Sequence, residues 1–102
     1  MTLAETIHSE GTKLYSYPYR IYILDCREGE EEKIIISVPK KLFKRAVRRN
    51  RIRRRIREAF RHIRADYPAV AGKHIMLVYT ANTVLDYGTV SEGLGTALGK
   101  IE

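Results

Sequence analysis

Apolar and polar residues follow patterns along this chain that predict three helices and three strands. Residues 2–10 fit a short helix that Thr2 caps and Gly11 ends. Stretches rich in apolar, aromatic and β-branched residues predict strands, and Pro18 marks the entry or edge of the first. These stretches are 15–24, 33–38 and 74–79. A long helical pattern lies between the last two strands, and residues 89–102 predict a weak terminal helix.

The long helix has an apolar face whose phase is lost near its start. One face, about 100° wide, carries Ile52, Ile56, Ala59, Phe60 and Ile63. Val47 lies about 180° from Ile56, which predicts an irregular turn or a kink near Arg48. The helix is expected to end at Tyr67-Pro68 and Gly72.

The order of these elements predicts an α+β fold, a two-layer sandwich of a mixed β-sheet with a long basic helix. A helix between two apolar strands favours a parallel pair joined by a crossover, whereas the strands on either side of residues 28–32 are expected to form an antiparallel hairpin. The near-continuous apolar run 34–38 predicts a strand buried on both faces. With 102 residues, of which 44% are hydrophobic, the chain fits a single domain over residues 1–102.

The positive charge is concentrated in one quarter of the sequence. Residues 40–64 hold 13 Lys or Arg residues and one acid, Glu58, whereas the other 77 residues carry a net charge of −5. A positive field this concentrated attracts polyanions, and nucleic acid is the obvious candidate. Arginine outnumbers lysine 10 to 3 in this segment. Because guanidinium groups bind phosphate oxygens in pairs and stack on exposed bases, this bias favours RNA.

Other interpretations of the basic segment fit the sequence less well. A solvated charged face explains neither the scarcity of acids nor the preference for arginine. A helix on a membrane surface would need the apolar residues that the core uses. The chain has no run apolar enough for a membrane span or a signal peptide, so we expect a cytoplasmic protein with no membrane partner. DNA binding is also less favoured, because the sequence has no helix-turn-helix spacing around the basic helix.

No pattern in the sequence indicates a catalytic or metal centre. The histidines His8, His62 and His74 lie on separate elements, and Cys26 is alone, so we interpret it as structural. His62 and Asp66 have the spacing of a surface pair on a helix. Paired carboxylates and glycine-rich phosphate loops are also missing from the sequence. We therefore assign no catalytic residue and no metal ligand to the protein.

Asn50 interrupts the run of arginines on the polar side of the helix. Its amide both donates and accepts hydrogen bonds, so it could read a base edge or a ribose hydroxyl. An arginine at this position could only donate hydrogen bonds. The alternative is a local role, at a kink of the helix or as a backbone cap.

One long ordered string then makes a family resemblance specific. Ser37-Val-Pro-Lys-Lys41, followed by Lys44-Arg-Ala-Val-Arg-Arg-Asn-Arg-Ile-Arg-Arg-Arg-Ile-Arg-Glu-Ala-Phe60, resembles the signature of the ribonuclease P protein family. The Arg-Asn-Arg core of that signature is Arg49, Asn50 and Arg51 here. In the family, a catalytic RNA removes the 5′ leader of precursor tRNA by metal-assisted phosphodiester hydrolysis, and the protein assists it.

The resemblance implies the protein subunit of a tRNA-processing endoribonuclease, a ribonucleoprotein hydrolase whose chemistry belongs to the RNA. It implies that Mg²⁺ sits on the RNA and that the protein alone holds no cofactor. The implied partners are the catalytic RNA of ribonuclease P and the 5′ leader of precursor tRNA. The implied fold contains a ribosomal-protein-like βαβ unit with a left-handed crossover, a hand that about 2% of such connections adopt.

Two sets of RNA-binding residues follow. The catalytic RNA is expected to contact Lys40, Lys41, Lys44, Arg45, Arg48, Arg49, Asn50, Arg51, Arg53, Arg54, Arg57 and Arg61. A cleft between the long helix and the sheet is expected to hold the leader, with Tyr22, Arg20 and Tyr19 as candidate contacts. Alternation along the strand puts Arg20 and Tyr22 on one side and Tyr19 on the other. Strand tyrosines usually pack in a core, which is the alternative for both rings.

The chain also departs from the family pattern. Family members tend to begin with a longer segment and to carry aromatic residues on the first helix, where Ala4 and His8 stand here. This difference predicts weaker binding of the leader. Pro39 replaces a serine that is common in the family. The competing hypothesis is a structural RNA-binding protein of the ribosomal type, which would use the same helix without any role in processing.

Overall fold

The computed structural model describes residues 2–101, which form a four-stranded mixed sheet covered by helices. The elements in chain order are α1 (Leu3–Glu10), β1 (Thr12–Ser16), β2 (Tyr19–Asp25), β3 (Ile34–Ser37), α2 (Ala46–Ile63), β4 (Lys73–Tyr79) and α3 (Tyr87–Leu98). Two short 3₁₀ turns, Arg64–Asp66 and Pro68–Val70, connect α2 to β4. The strand order is β1-β2-β4-β3. Among residues 2–101, β3 and β4 are the only parallel pair, and the other neighbouring strands are antiparallel. The predicted α+β class with a mixed sheet is confirmed.

The stretch predicted as the first strand is a hairpin of two strands. Tyr17 and Pro18 form its turn, joined by a cis peptide bond, and β1 runs back along β2 with Tyr15 opposite Arg20. Proline has no backbone N–H and cannot continue a sheet ladder, so the chain turns at this point. The prediction of one strand was wrong because residues with high β propensity lie on both sides of the break.

The expected hairpin across residues 28–32 is also wrong, because β4 lies between β2 and β3. Five of the seven residues of β4 are buried, which suits a central strand, whereas the four-residue β3 lies at the edge and is mostly half-buried. The parallel pair of β3 and β4 connects through α2, so the predicted crossover is confirmed. The left hand of that crossover stays a prediction.

The long basic helix α2 begins at Ala46, after the first lysines of the basic segment. Arg48 lies inside the continuous helix, so the kink predicted there is wrong. The irregular backbone comes earlier, between Pro39 and Arg45, where the amides of Leu42 and Phe43 donate to the Pro39 carbonyl. α2 ends at Ile63, before the two 3₁₀ turns that contain Tyr67-Pro68.

The main core lies between one face of the sheet and the helices α2 and α3. Ile52, Ile56 and Phe60 of α2 pack there against buried strand residues such as Ile21 and Leu77. Tyr19 is fully buried in this core, and its hydroxyl donates to the Val90 carbonyl at 2.9 Å. Burial raises the pKa of the Tyr19 hydroxyl, with a further contribution from Tyr79. These contacts fix which side of α2 faces the solvent.

The short helix α1 packs on the opposite face of the sheet, which we call the α1 face. Ile7 is buried there against Tyr22 and Met76. The sequence predicted the start of α1 correctly, because Thr2 and Glu5 form a reciprocal capping box. α1 thus adds a partial third layer to the sandwich, and it covers only part of its face.

The terminal helix α3 begins at Tyr87, two residues before the predicted start, and Asp86 caps it by accepting from the Thr89 amide at 2.7 Å. The glycines in α3 lower the stability of the helix, and the packing of α3 explains why position 93 is a glycine. A Cβ atom at Gly93 would lie 2.8 Å from Cδ of Pro18, so α3 approaches the hairpin turn too closely for a side chain. No helix within residues 2–101 is long and apolar enough to cross a bilayer.

Candidate nucleic-acid interface

The exposed side of α2 carries a row of cationic side chains that we call the arginine face. Because Ile52, Ile56 and Phe60 are buried in the core, the helix cannot rotate to hide the residues opposite them. All members of the arginine face are exposed. On the side away from the apolar residues they are Asn50, Arg51, Arg54, Arg57 and Arg61. We include Arg48, which lies nearer the apolar side of the helix but is exposed at its start. A shallow groove along this face is lined by Asn50, Arg53, Arg54, Arg57, Glu58 and Arg61.

Four exposed cations continue the arginine face into the segment 39–45, which we call the basic turn. Phe43 anchors this turn, since its ring is 5% exposed and lies 6.1 Å from the Tyr79 ring, measured between centroids. The cations around the anchor are Lys40, Lys41, Lys44 and Arg45. The basic turn and the arginine face therefore form one continuous positive surface on a rigid support.

The one acid of α2 neutralises only the C-terminal end of the arginine face. Glu58 accepts two hydrogen bonds of 2.9 Å from Nη2 of Arg61 and lies 2.9 Å from Nε2 of His62. The hydrogen bond with His62, followed by the one with Arg61, lowers the pKa of the Glu58 carboxyl. The predicted surface pair of His62 with Asp66 is not formed, because Glu58 takes the imidazole.

Four arginines of the face have no ion pair with any carboxylate in residues 2–101. They are Arg48, Arg51, Arg54 and Arg57. Neighbouring guanidinium groups three residues apart on a helix repel each other, so this row is destabilised in the isolated protein. An external polyanion that neutralises the row would relieve that repulsion.

Arg49 differs from its neighbours because the fold already uses its guanidinium group. Its Nη1 donates to the carbonyls of Phe43 and Lys44 at 2.7 and 2.9 Å, and the residue is half-buried. Arg49 therefore holds the basic turn against the first turn of α2. Its direct contact with RNA stays a prediction, as do the contacts of the other eleven residues in the predicted set.

This arrangement predicts a distinct effect of R49A. Without the two charge-assisted hydrogen bonds, the basic turn should open more often, so the amides of Leu42 and Phe43 should exchange hydrogen roughly tenfold to a hundredfold faster. Hydrogen exchange of the free protein measures this. R51A is the matched control, because Arg51 is exposed and makes no bond to the turn among residues 2–101. Unchanged exchange in R49A would contradict the bracing role.

Asn50 and Arg53 interact with each other on the surface of the helix. The Asn50 side-chain oxygen accepts from Nη1 of Arg53 at 3.0 Å. Asn50 therefore neither caps the backbone nor marks a kink, and the two alternatives to RNA contact are removed. The bond with Arg53 orients the amide along the groove.

One arginine of α2 that the sequence did not single out has a structural role. Arg55 is half-buried, and its Nη1 donates to the Leu85 carbonyl at 2.6 Å. It ties α2 to the loop before α3. Position on the helical wheel separates Arg55 from the arginine face, but the sequence alone does not reveal the carbonyl that it binds.

The candidate leader contacts lie on two different faces of the sheet. Tyr22 and Arg20 are on the α1 face, where Arg20 is exposed and Tyr22 is 4% exposed. The exposed His8 ring lies over Tyr22, with centroids 4.8 Å apart. Tyr19 belongs to the main core on the other face and is 0% exposed. The prediction that Tyr19 contacts the leader is wrong, because a ring enclosed by the core cannot reach a base.

The predicted position of the leader cleft is also corrected. The sheet face beneath α2 is filled by the main core, in which Ile52, Ile56 and Phe60 contact the strands. Tyr22 and Arg20 instead share the α1 face, which α1 covers only in part. Any cleft that includes these two residues lies between α1 and the sheet.

The buried histidine His74 has structural partners. His74 is buried, its Nδ1 accepts from the Lys33 amide at 3.2 Å, and its Nε2 lies 3.5 Å from a Glu30 oxygen. These contacts tie the loop after β2 to the central strand β4. Within residues 2–101, no group of three or more His, Cys, Asp or Glu side chains is arranged to hold a metal ion.

Comparison with known proteins agrees with this geometry. The chain is 41% identical over 61 residues to the ribonuclease P protein component of Porphyromonas gingivalis, covering 55% of this chain and 42% of that protein. It is 36% identical over 72 residues to the component of Chlamydia trachomatis, covering 71% of this chain and 57% of that protein. The matched region thus spans less than two thirds of the length of these relatives.

Solved structures share the whole fold. The ribonuclease P protein from Thermotoga maritima matches with a TM-score of 0.83 and 26% identity, covering 98% of this chain and 92% of that chain. The protein from Staphylococcus aureus matches with a TM-score of 0.79 and 24% identity, covering 99% and 94%, and at that identity the likeness concerns the fold. The family model described as Ribonuclease P matches residues 4–102, and the chain therefore belongs to the ribonuclease P protein family.

Proposed function

We propose that this protein is the protein subunit of ribonuclease P, which assists a catalytic RNA in removing the 5′ leader from precursor tRNA. The observation that carries the proposal is the row of four exposed arginines without ion pairs on a helix whose orientation the core fixes. Membership of the family supports it. The RNA performs the phosphodiester hydrolysis, with Mg²⁺ on its phosphates, and no protein residue is assigned to catalysis. The complex would act in the cytoplasm.

The catalytic RNA would bind along the arginine face and the basic turn. Guanidinium groups of Arg54 and Arg57 project from consecutive turns of one helix, so they can each contact a phosphate of a folded RNA strand. Asn50, one turn before Arg54, would read a ribose hydroxyl or a base edge. The bracing of the basic turn by Arg49 keeps Lys40, Lys41 and Lys44 in a fixed position relative to this row.

The 5′ leader would lie on the α1 face rather than beneath α2. Arg20 is the exposed cation beside Tyr22 on this face. Tyr22 itself is almost covered, so the exposed His8 ring that lies on it is the first surface that a base meets. An imidazole ring stacks on a base over a smaller area than a phenyl ring, which agrees with the weaker leader affinity expected from the sequence.

The experiment that tests the proposal adds the purified chain to a bacterial ribonuclease P RNA and a precursor tRNA at low magnesium concentration. Cleavage should rise with the intact chain, since bound cations replace part of the magnesium that screens RNA phosphates. R27A should stimulate as well as the unchanged protein, because Arg27 lies in the loop after β2 and not on α2. No rise with a cognate RNA would contradict the proposal and favour the structural RNA-binding protein.

A further inference from the structure

An exposed tyrosine lies on the α1 face beyond the part that α1 covers. Tyr15 belongs to the edge strand β1, and 57% of its surface is exposed. Alternation along the strands puts it on the same face as Arg20 and Tyr22, since it pairs directly with Arg20. A single exposed aromatic ring needs no explanation by itself, so the residues around it decide its meaning.

The neighbours of Tyr15 on this face are cations. Arg20 stands directly opposite it on β2, and Lys13 precedes it by two residues on β1, opposite Tyr22. Both cations are exposed. Diagonal neighbours across an antiparallel pair lie about 7–8 Å apart, so Tyr15 lies close to Tyr22 and to the exposed His8 ring that covers it. We call Lys13, Tyr15 and Arg20 the hairpin platform.

A second exposed tyrosine of the same hairpin has the opposite surroundings. Tyr17 is 59% exposed in the turn, and it borders a groove with Glu92, Thr89 and Thr96 of α3. An acid beside the ring repels phosphate, whereas the cations beside Tyr15 attract it. The charge around Tyr15 therefore favours a polyanion as the ligand of the platform. An aromatic ring between cations is the arrangement that binds single-stranded nucleic acid.

We propose that the hairpin platform is a second stacking site for single-stranded RNA, which binds leader nucleotides farther from the cleavage site than those at His8 and Tyr22. This inference rests on the proposed function and extends the path of the leader along the α1 face. Tyr15 would stack on a base while Lys13 and Arg20 contact the flanking phosphates. It supplies an aromatic ring on the leader path of a chain that carries Ala4 and His8 on α1.

The chain has no tryptophan, so one substitution gives a specific probe. Y15W introduces the sole indole of the protein at the platform, and Y17W introduces it at the equally exposed control position. A short single-stranded oligoadenylate should quench the fluorescence of Y15W by stacking and leave Y17W unchanged. Quenching in both variants, or in neither, would overturn the proposal.

Precursor tRNAs with long and short leaders give the functional test in the holoenzyme. Y15A should weaken binding of the long-leader precursor roughly fivefold to a hundredfold, which corresponds to the loss of one stacked base, and should leave the short-leader precursor unchanged. Y17A should change neither. If Y15A binds the long-leader precursor as tightly as the unchanged protein does, the hairpin platform is overturned. Stimulated cleavage of the short-leader precursor would then still support the proposed function. If the unchanged protein itself does not stimulate cleavage by the RNA, the proposed function is refuted instead.

Discussion

Replacing both Arg54 and Arg57 with alanine is expected to weaken binding to the catalytic RNA roughly 25-fold to 60-fold at about 0.1 M salt. Each guanidinium group that neutralises one phosphate contributes about −0.7 to −0.9 to the slope of log affinity against log salt. The double variant should therefore flatten that slope by about 1.4 to 1.8 units. Both side chains are exposed and lack ion pairs among residues 2–101, so their removal should not disturb the fold.

Binding titrations of the double variant over several salt concentrations measure this effect. R27A is the control, because it removes one exposed arginine from the loop after β2 and keeps the arginine face intact. Its slope should equal that of the unchanged protein. If R54A/R57A keeps the full slope, the RNA contacts lie on a different surface.

Truncation of Ile56 to alanine is expected to lower the free energy of unfolding by about 2–5 kcal/mol. Ile56 is 0% exposed and packs in the main core between α2 and the sheet. Its removal leaves a cavity at the point that fixes the orientation of the arginine face. A domain of this size has only about 5–15 kcal/mol of net stability, so the variant should unfold at markedly lower denaturant concentration.

Urea unfolding followed by circular dichroism checks this prediction, with V47A as the control on the same helix. Val47 is 69% exposed, so V47A should change the free energy of unfolding by less than about 0.5 kcal/mol. Equal stability of I56A and V47A would mean that α2 is not anchored through Ile56.

The candidate RNA-binding surface was largely predictable from the sequence because charge is a property of composition and helical spacing. The concentration of arginine in residues 40–64 and the helical phase of Ile52 and Ile56 together predicted an exposed cationic face. The structure has this face, with Ile52 and Ile56 buried on the other side of the helix. The capping box at Thr2 and Glu5 likewise fixed the start of α1, since it depends on residues three positions apart. Features that depend on local spacing can be recognised without a fold.

Features that depend on which strands become neighbours were not predictable in the same way. The insertion of β4 between β2 and β3 places the strand with the most buried residues inside the sheet, and the acidic segment between β2 and β3 gives no sign of it. The cleft that the resemblance implied between α2 and the sheet could not be checked from the sequence either, and the structure fills that space with the main core. Alternation along the strand placed Tyr19 and Tyr22 on opposite faces, but only the packing of the two cores shows that Tyr19 is fully enclosed and that Tyr22 lies beneath His8.

The bracing role of Arg49 lay equally beyond the sequence. Arg49 is the first residue of the Arg-Asn-Arg core, and its residue type is the same as that of Arg51. The irregular basic turn brings the carbonyls of Phe43 and Lys44 within reach of one guanidinium group and not of the other. A conformation without a regular period has no sequence pattern from which such a contact can be predicted.

The affinity of the intact chain for a bacterial ribonuclease P RNA, measured over a series of salt concentrations, is the decisive test of the arginine face. Four arginines without ion pairs predict tight binding in dilute buffer that weakens with a slope of about −3 in log affinity against log salt, and contacts of the basic turn with phosphates would make the slope steeper. Absence of binding to this or any other structured RNA in dilute buffer would contradict the assignment of the arginine face to RNA.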